Sequence, residues 1–244
     1  MKKGFTLAEV LITLGIIGIV AALTLPNLVT KYKEKEAVSK LKKVYATFGN
    51  AYTLAANENG TPDNWYTNEG HRSRAAANRM VDVFLPYLKV AKICKQAKGC
   101  WADTMYKKPD GTNATNWDTY NSSISRFMLS DGTSVFFHSY ANIPVNLGSG
   151  FLSESYGAMS VYINGKKAPN KWGVDTFSFI LTQNGIVPGG TDIATGTTAT
   201  FPAACNRKGV TGWGEACAAW VIYNENMDYL HCDDLSWNGK TKCK

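Results

Sequence analysis

The most constraining feature of the chain is a run of apolar residues near its N-terminus, GFTLAEVLITLGIIGIVAALTLPNLV. From Phe5 to Val29 almost every side chain is apolar, and a helix of that length, at about 1.5 Å per residue, spans the apolar part of a bilayer. The run contains a single carboxylate, Glu9. A carboxylate at membrane depth costs free energy, and such residues usually serve a function. The sequence therefore predicts a membrane-length helix in which Glu9 needs a partner.

Three interpretations fit this run. An ordinary signal peptide accounts for Lys2, Lys3 and the apolar stretch, but it does not account for Glu9. A plain signal anchor accounts for retention in the membrane. The third interpretation rests on a resemblance, because GFTLAEVLITLGIIGIVAALTLPNL resembles the N-terminus of type IV pilins and of the pseudopilins of type II secretion systems. In that family a dedicated peptidase cuts after the glycine and methylates the new N-terminus.

The resemblance assigns roles to three residues. It implies cleavage between Gly4 and Phe5, N-methylation of Phe5, and a role in assembly for Glu9, which would meet the amine of an incoming subunit. The implied partners are a prepilin peptidase/methyltransferase, copies of this chain or related pilins, an inner-membrane assembly platform and membrane lipid. The implied location is the bacterial inner membrane for the precursor, and then a periplasm-spanning pseudopilus or a cell-surface pilus.

Lysines follow the apolar run at positions 31, 33, 35, 40, 42 and 43, with Glu34 and Glu36 between them. Because both signs of charge are present, we expect a solvated helix face rather than a nucleic-acid or lipid contact. Counted by the positive-inside rule, these lysines would lie in the cytoplasm. The family resemblance and the cysteines favour the opposite orientation, and long domains can translocate despite flanking charge.

After Pro26 the pattern becomes that of an amphipathic helix. Its apolar stripe recurs at three- and four-residue steps and comprises Val38, Leu41, Tyr45, Phe48, Tyr52 and Ala55. Asn59-Gly60-Thr61-Pro62 ends it. One helix is therefore expected from about Phe5 to about Glu58, with Pro26 able to kink or locally unwind it. The expected division is a leader at 1–4, a transmembrane or filament-core helix at 5–29, an amphipathic helix at 30–58 and an extracytoplasmic α+β domain at 59–244.

The remainder predicts one more helix and then strands. A helical pattern runs from Arg72 to about Leu85 and meets Pro86. Strand patterns follow at residues 127–129, 134–138, 158–163, 175–182 and 186–187, with turns at Asp131-Gly132 and Asn164-Gly165. Residues 216–223 fit either a short helix or a buried strand. The predicted fold is α+β and pilin-like: a long N-terminal helix, its first half transmembrane, packed on a C-terminal antiparallel β-sheet domain.

The six cysteines are Cys94, Cys100, Cys205, Cys217, Cys232 and Cys243. They form no C-x-x-C motif, and their spacing with histidine fits no zinc site. An even number of cysteines behind an export segment indicates disulfide bonds and an oxidising compartment. Of the fifteen possible pairings, the set that joins neighbours in sequence is favoured: Cys94–Cys100, Cys205–Cys217 and Cys232–Cys243.

No pattern of catalytic residues emerges. The three histidines, His71, His138 and His231, lie in no recognisable arrangement with a nucleophile, and the chain has no phosphate-binding glycine loop. Asp131 and Asp175 carry oxygens that a hard cation could bind, but as turn or strand-end residues they are expected to cap the backbone. We therefore predict no enzyme, cofactor or metal. The alternative to a pilin-like subunit is an anchored or secreted, disulfide-bonded binding module that does not polymerise.

Overall fold

The computed structural model describes residue 4 and residues 6–67, 69–120, 123–141, 143–147, 153–191, 200–208 and 214–243. The chain divides into two compact units, Met1–Glu36 and Ala37–Lys244. Helix α1, Leu7–Asn59, contributes residues to both units. In the second unit, the described residues also form helices α2, Arg74–Phe84, and α3, Cys217–Asn224, and a six-stranded sheet.

The sheet is a meander in which every strand pairs antiparallel with the next one along the chain. Short turns make two of the five connections, at residues 130–133 and 183–184, and a turn that short permits only antiparallel pairing. The described strands are β1 (Val90–Lys95), β2 (Ile124–Leu129), β3 (Ser134–Ser139), β4 (Ser155–Tyr162), β5 (Thr176–Thr182) and β6 (Gly185–Pro188).

The part of α1 in the second unit buries its apolar stripe on one face of the sheet. Phe48 is fully buried, and its ring lies 6.1 Å from that of Phe84, 6.4 Å from Phe127 and 6.1 Å from Phe137. Tyr45 also meets this face, although it is only partly buried. Because rings at these separations combine apolar burial with favourable ring geometry, this cluster is the centre of the main core.

The alternation of side chains along the strands determines which residues of the sheet face α1. Side chains alternate between the two faces of a strand, so Phe127, Val135, Val161 and Phe177, which are neighbours across β2 to β5, share the face towards α1. Their burial in one core with the α1 stripe confirms the predicted architecture of a long helix packed on an antiparallel sheet.

The opposite face carries a second, smaller core. Phe136 and Tyr162 point to this side, where they meet Trp101, Trp117 and Trp172 from the connecting loops. The loop between β1 and β2 covers this part of the face. The sheet is therefore buried on both sides, by helices on one face and by an aromatic loop layer on the other.

Helix α2 begins where a serine caps it. The Ser73 hydroxyl accepts a hydrogen bond from the Ala76 N–H at 3.0 Å, which satisfies one of the free donors of the first turn. Met80 from this helix lies against Gly157 of β4, where a Cβ would collide with the Met80 side chain and lie 2.7 Å from the His138 carbonyl oxygen. Gly157 therefore permits the close approach of α2 to the sheet.

Two local features differ from the expectations. Residues 90–95 form an edge strand, β1, that the sequence did not predict, because Lys92 and Lys95 interrupt its apolar pattern and register shifts break the pairing with β2. The ambiguous segment 216–223 is a helix. It forms α3, and the Ala219 N–H donates to the Gly189 carbonyl at 2.9 Å next to β6.

The core role of Phe48 is testable by truncation. Replacing Phe48 with Ala removes a fully buried ring from between α1, α2 and the sheet, so we expect the free energy of unfolding to fall by roughly 3–5 kcal/mol. Urea unfolding of the full chain in a mild detergent, followed by tryptophan fluorescence, measures the change. Leu54→Ala on the same helix is the matched control, because Leu54 is 49% exposed and surface changes usually shift stability by about 0.5 kcal/mol or less. Equal unfolding midpoints for the two variants would contradict the assignment.

Candidate processing and assembly segment

The N-terminal part of α1 exposes apolar side chains all round. The large apolar residues from Leu7 to Val29 are between 41% and 77% exposed. By length and composition, α1 is apolar enough to cross a membrane. A helix that is apolar on every side does not lie stably in water, because no face of it is polar. This surface therefore requires cover from lipid or from other helices.

The threonine hydroxyls of this segment bond to the helix itself. Thr13 donates to the Glu9 carbonyl at 2.9 Å, Thr24 to the Val20 carbonyl at 2.8 Å and Thr30 to the Pro26 carbonyl at 3.0 Å. In an apolar medium a free hydroxyl would be costly, and bonding to the carbonyl four residues earlier removes that cost. The segment thus carries hydroxyls without carrying unsatisfied donors at those positions.

Glu9 has a partner that the sequence analysis did not identify. Its Oε2 accepts hydrogen bonds from the backbone N–H and from the hydroxyl of Thr6, both at 2.8 Å. In return the Glu9 N–H donates to the Thr6 hydroxyl oxygen at 3.2 Å. This reciprocal arrangement is a capping box, which satisfies free donors at the start of a helix. The spacing Thr-x-x-Glu at the head of an apolar helix was the signal that could have revealed it.

The helix continues through Pro26 without interruption. Proline lacks an N–H, so the carbonyl four residues earlier receives no bond from it, but the flanking turns keep the helical path. At Gly15 and Gly18 an added Cβ would meet no atom within 4 Å beyond the helix's own nearby backbone. The two glycines therefore leave shallow, open positions on the apolar surface, where another helix can approach closely.

The residues predicted for processing lie just before this helix. Gly4 is exposed. Phe5, predicted to be the new N-terminus and the site of methylation, lies outside the described residues, as does the head at residues 1–3. The Thr6–Glu9 capping box places the start of α1 directly after this point.

All six cysteines lie in the described part of the chain, and none is free. The bonds join Cys94 to Cys100, Cys205 to Cys217 and Cys232 to Cys243, the set of neighbours in sequence. The first bond ties the end of β1 to the loop that carries Trp101 of the second core. The second holds the loop before α3 to the helix, and the third closes the C-terminal loop.

Asp131 and Asp175 hold backbone turns at separate places. Asp131 accepts from the Thr133 N–H at 3.1 Å in the β2–β3 turn and from Lys43 Nζ at 2.8 Å. Asp175 is buried and accepts from the N–H groups of Asn170 and Lys171 at 2.9 and 2.7 Å. Burial raises the pKa of Asp175 to about 6, while these bonds act to lower it. Both carboxylates therefore serve the turns. In the described residues, no group of three or more His, Cys, Asp or Glu side chains could hold a metal ion.

Two of the histidines lie together around Tyr140. The His71 ring is 6.0 Å from the Tyr140 ring and the His138 ring is 5.4 Å from it, while the Arg72 guanidinium lies 5.3 Å over the same ring. Burial, and then the nearby charges of Arg72 and His71, lower the pKa of His138 to about 4. His138 is therefore neutral at ordinary pH, and its role in this cluster is packing against Tyr140.

Two family models match the chain, one on each side of Pro26. Residues 1–25 match the model of the prokaryotic N-terminal methylation motif. Residues 27–195, more than half of the chain, match the model of a family of unknown function, DUF6613. The chain belongs to that family. No curated protein and no solved structure matches it.

The methylation motif indicates the function of the apolar segment. It is the signature of type IV pilins and pseudopilins, so the chain is prepilin-like, as the resemblance predicted. Together with an apolar helix long enough to cross a membrane, it indicates a membrane-anchored precursor. It also points to a structural subunit rather than an enzyme. The DUF6613 match includes all six described strands of the sheet.

The disulfide pairing is open to direct mapping. Trypsin sites lie between the partners of every pair: Lys95 and Lys98, then Arg207 and Lys208, and then Lys240 and Lys242. Trypsin digestion of the native, alkylated protein without reduction should therefore give Cys94–Cys100 as two linked peptides. No trypsin site separates Cys217 from Cys232, so chymotrypsin, which cuts after Tyr223 and Tyr229, is added to give the other two bonds as separate linked pairs, with no alkylated cysteine. Reduction should separate all three, measured by peptide mass. Three or more alkylated cysteines in native protein would contradict the bonds and remove the argument for an oxidising compartment.

Proposed function

We propose that the chain is a prepilin-like structural subunit that polymerises through its N-terminal helix into a type IV pilus or a type II secretion pseudopilus. In this proposal residues 1–4 are a leader and residues 5–29 form the transmembrane and later filament-core helix. Residues 30–58 continue it into the globular domain, and residues 59–244 form the extracytoplasmic α+β domain.

The observation that carries this proposal is the uncovered apolar surface of α1 behind a methylation motif. The large side chains from Leu7 to Val29 need lipid before assembly and equally apolar neighbours after it. Copies of the same helix supply such neighbours, because apolar helices pack closely where small residues such as Gly15 and Gly18 lie between them. A filament core of these helices would thus replace the bilayer as the medium around the segment.

Processing would take place at the membrane. The prepilin peptidase/methyltransferase would cut between Gly4 and Phe5 and methylate the Phe5 amine. The subunit would then enter an inner-membrane assembly platform and join copies of itself or related pilins. The three disulfide bonds favour an oxidising location for the globular domain, which fits a pseudopilus in the periplasm or a pilus at the cell surface.

Glu9 would connect processing to assembly. Cleavage creates a positive amine at Phe5, and an incoming subunit would bring this amine to the Glu9 carboxylate of its neighbour. In the single chain the two hydrogen bonds from Thr6 both go to Oε2 of Glu9, so the carboxylate has a second oxygen to offer. A charge pair inside an apolar bundle favours one register over slipped ones, because every slipped register leaves the buried carboxylate without an opposite charge.

The site of cleavage can be read from the mass of the mature protein. Protein extracted from membranes should lack Met1-Lys2-Lys3-Gly4 and carry one additional methyl group, and fragmentation should place that group on Phe5. Replacing Gly4 with a bulkier residue should leave the full-length precursor. An N-terminus near Thr24, as an ordinary signal-peptide cut would leave, would overturn the pilin proposal.

The role of Glu9 can be separated from its role in the capping box. Glu9→Gln keeps an oxygen that accepts from the Thr6 N–H, since glutamine also serves in capping boxes, but it removes the charge. Thr6→Val keeps the shape and the Glu9 charge but removes the hydroxyl. We expect Glu9→Gln and Glu9→Ala to reduce assembly sharply and Thr6→Val to reduce it much less. Filaments in the sheared fraction, or secretion output, are compared with whole-cell subunit levels and leader cleavage.

The outcomes distinguish three roles. Loss of assembly in both Glu9 variants, with normal cleavage and membrane insertion, supports the charge pair. Assembly by Glu9→Gln combined with failure of Thr6→Val would assign Glu9 to the cap alone. Wild-type assembly by Glu9→Ala would show that the carboxylate is merely tolerated, and would favour the alternative of an anchored domain that does not need this contact.

A further inference from the structure

Two lysines converge on one backbone oxygen at the surface of the second core. Lys92 Nζ, from β1, lies 3.5 Å from the carbonyl oxygen of Gly99, and Lys166 Nζ lies 2.5 Å from the same oxygen. Both lysines are exposed. Sharing one oxygen places the two ammonium groups close together, although like charges repel. We refer to Lys92 and Lys166 as the lysine pair.

The local backbone favours this convergence. Gly99 has φ 102°, which a residue with a side chain rarely adopts, and a Cβ at Gly99 would lie 2.7 Å from Lys92 Nζ. A larger residue there would push Lys92 away from the carbonyl. Lys166 itself has φ 69° in the turn after β4, a left-handed conformation that costs a lysine free energy. The backbone at Gly99 and at Lys166 therefore has a positive φ where the two ammonium groups meet.

The carboxylates around this point are committed to other groups. Asp118 is buried and accepts from the N–H groups of Gly99 and Trp101 at distances between 2.8 and 2.9 Å. Asp103 accepts from Asn116 at 2.7 Å and pairs with Lys98 at 3.8 Å. Within the part of the chain that the structure describes, no carboxylate forms an ion pair with either member of the lysine pair.

Further positive charge adjoins the lysine pair. Lys167 follows Lys166, and its carbonyl accepts from the Tyr162 hydroxyl in the second core. Lys107 and Lys171 lie together where the Lys107 N–H donates to the Asn170 carbonyl at 2.8 Å. These lysines stand on the loops that cover the same face of the sheet as Phe136 and Tyr162. Lys166 and Lys167 thus add positive charge beside Lys92, which raises the local concentration of anions, while the exposed carboxylates of the same face, Asp103 and Asp110, lie on the β1–β2 loop.

We infer that the lysine pair is a binding site for a phosphate group. A tetrahedral oxyanion offers several oxygens, so it can accept a hydrogen bond from each ammonium group while its charge offsets their repulsion. Lysine binds phosphate in this way as a point charge. The phosphate can be free, part of a phosphodiester chain or part of a lipid headgroup, since all three present the same oxygens. The site is separate from the apolar helix and does not depend on filament assembly.

The test compares two double variants of the full chain in a neutral detergent. Lys92→Gln with Lys166→Gln removes the lysine pair. Lys89→Gln with Lys242→Gln removes two exposed positive charges elsewhere, so both variants have the same net charge. Binding of inorganic phosphate is measured by isothermal titration calorimetry at constant ionic strength, with chloride as the competing anion. We expect the first variant to bind phosphate about tenfold more weakly or worse, because it loses two charged hydrogen bonds, and the second to bind like wild type.

Two further probes identify the source of the phosphate. For a short single-stranded DNA, loss of two phosphate contacts should reduce the salt-dependence slope of the binding constant by about 1.4. For vesicles of phosphatidylglycerol mixed with phosphatidylcholine, the variant without the lysine pair should bind less than the control variant. If removal of the lysine pair weakens binding to DNA or to the vesicles, that probe identifies the source of the phosphate. If it weakens binding to free phosphate alone, the ligand is a small phosphorylated molecule. Absence of phosphate binding by wild type, or equal weakening in both double variants, would overturn the inference.

Discussion

The large apolar side chains between Leu7 and Val29 surround α1 on every side and remain 41–77% exposed. Water is a poor medium for such a surface, because apolar area exposed to it costs roughly 25 cal/mol per Å². The rest of the molecule has no need of this segment for its own core, which begins at Val38. The segment therefore commits the chain to a second medium, lipid or a bundle of similar helices, and its polar groups are arranged to fit that medium.

The threonine and glutamate side chains of the segment form their hydrogen bonds within the same helix. Threonine hydroxyls bond to carbonyls of the same helix, so Thr13, Thr24 and Thr30 add no free donors. Glu9 bonds to Thr6 and closes the first turn. The carboxylate that the sequence alone shows as an anomaly thus has a use within one chain. In the proposed filament Glu9 would have a second role, because pairing with the amine of a neighbouring subunit would fix the register between the two helices.

In the globular domain, by contrast, the apolar residues of the sheet are covered on both faces. The stripe of α1 around Phe48 covers one face together with α2. Among the described residues, the core on the other face contains no helical residue, and the loop after β1 covers it with Trp101 and Trp117. A loop has little regular backbone bonding to hold it in place. The Cys94–Cys100 bond and the buried Asp118 carboxylate, which accepts from Gly99 and Trp101, supply that support. The same support presents the Gly99 carbonyl to Lys92 and Lys166.

The sequence by itself determined the features that depend on neighbours along the chain. The apolar run, the methylation motif, the α1 stripe and the Asp131-Gly132 turn all rest on local spacing, so they could be predicted. Tertiary structure decided the rest. Strand β1 forms because β2 pairs with it and a disulfide holds its end, although Lys92 and Lys95 interrupt its pattern. Residues 217–224 are helical because packing at β6 selects the helix where periodicity allowed either form. The lysine pair unites residues 74 positions apart, and only the folded backbone brings them to one oxygen.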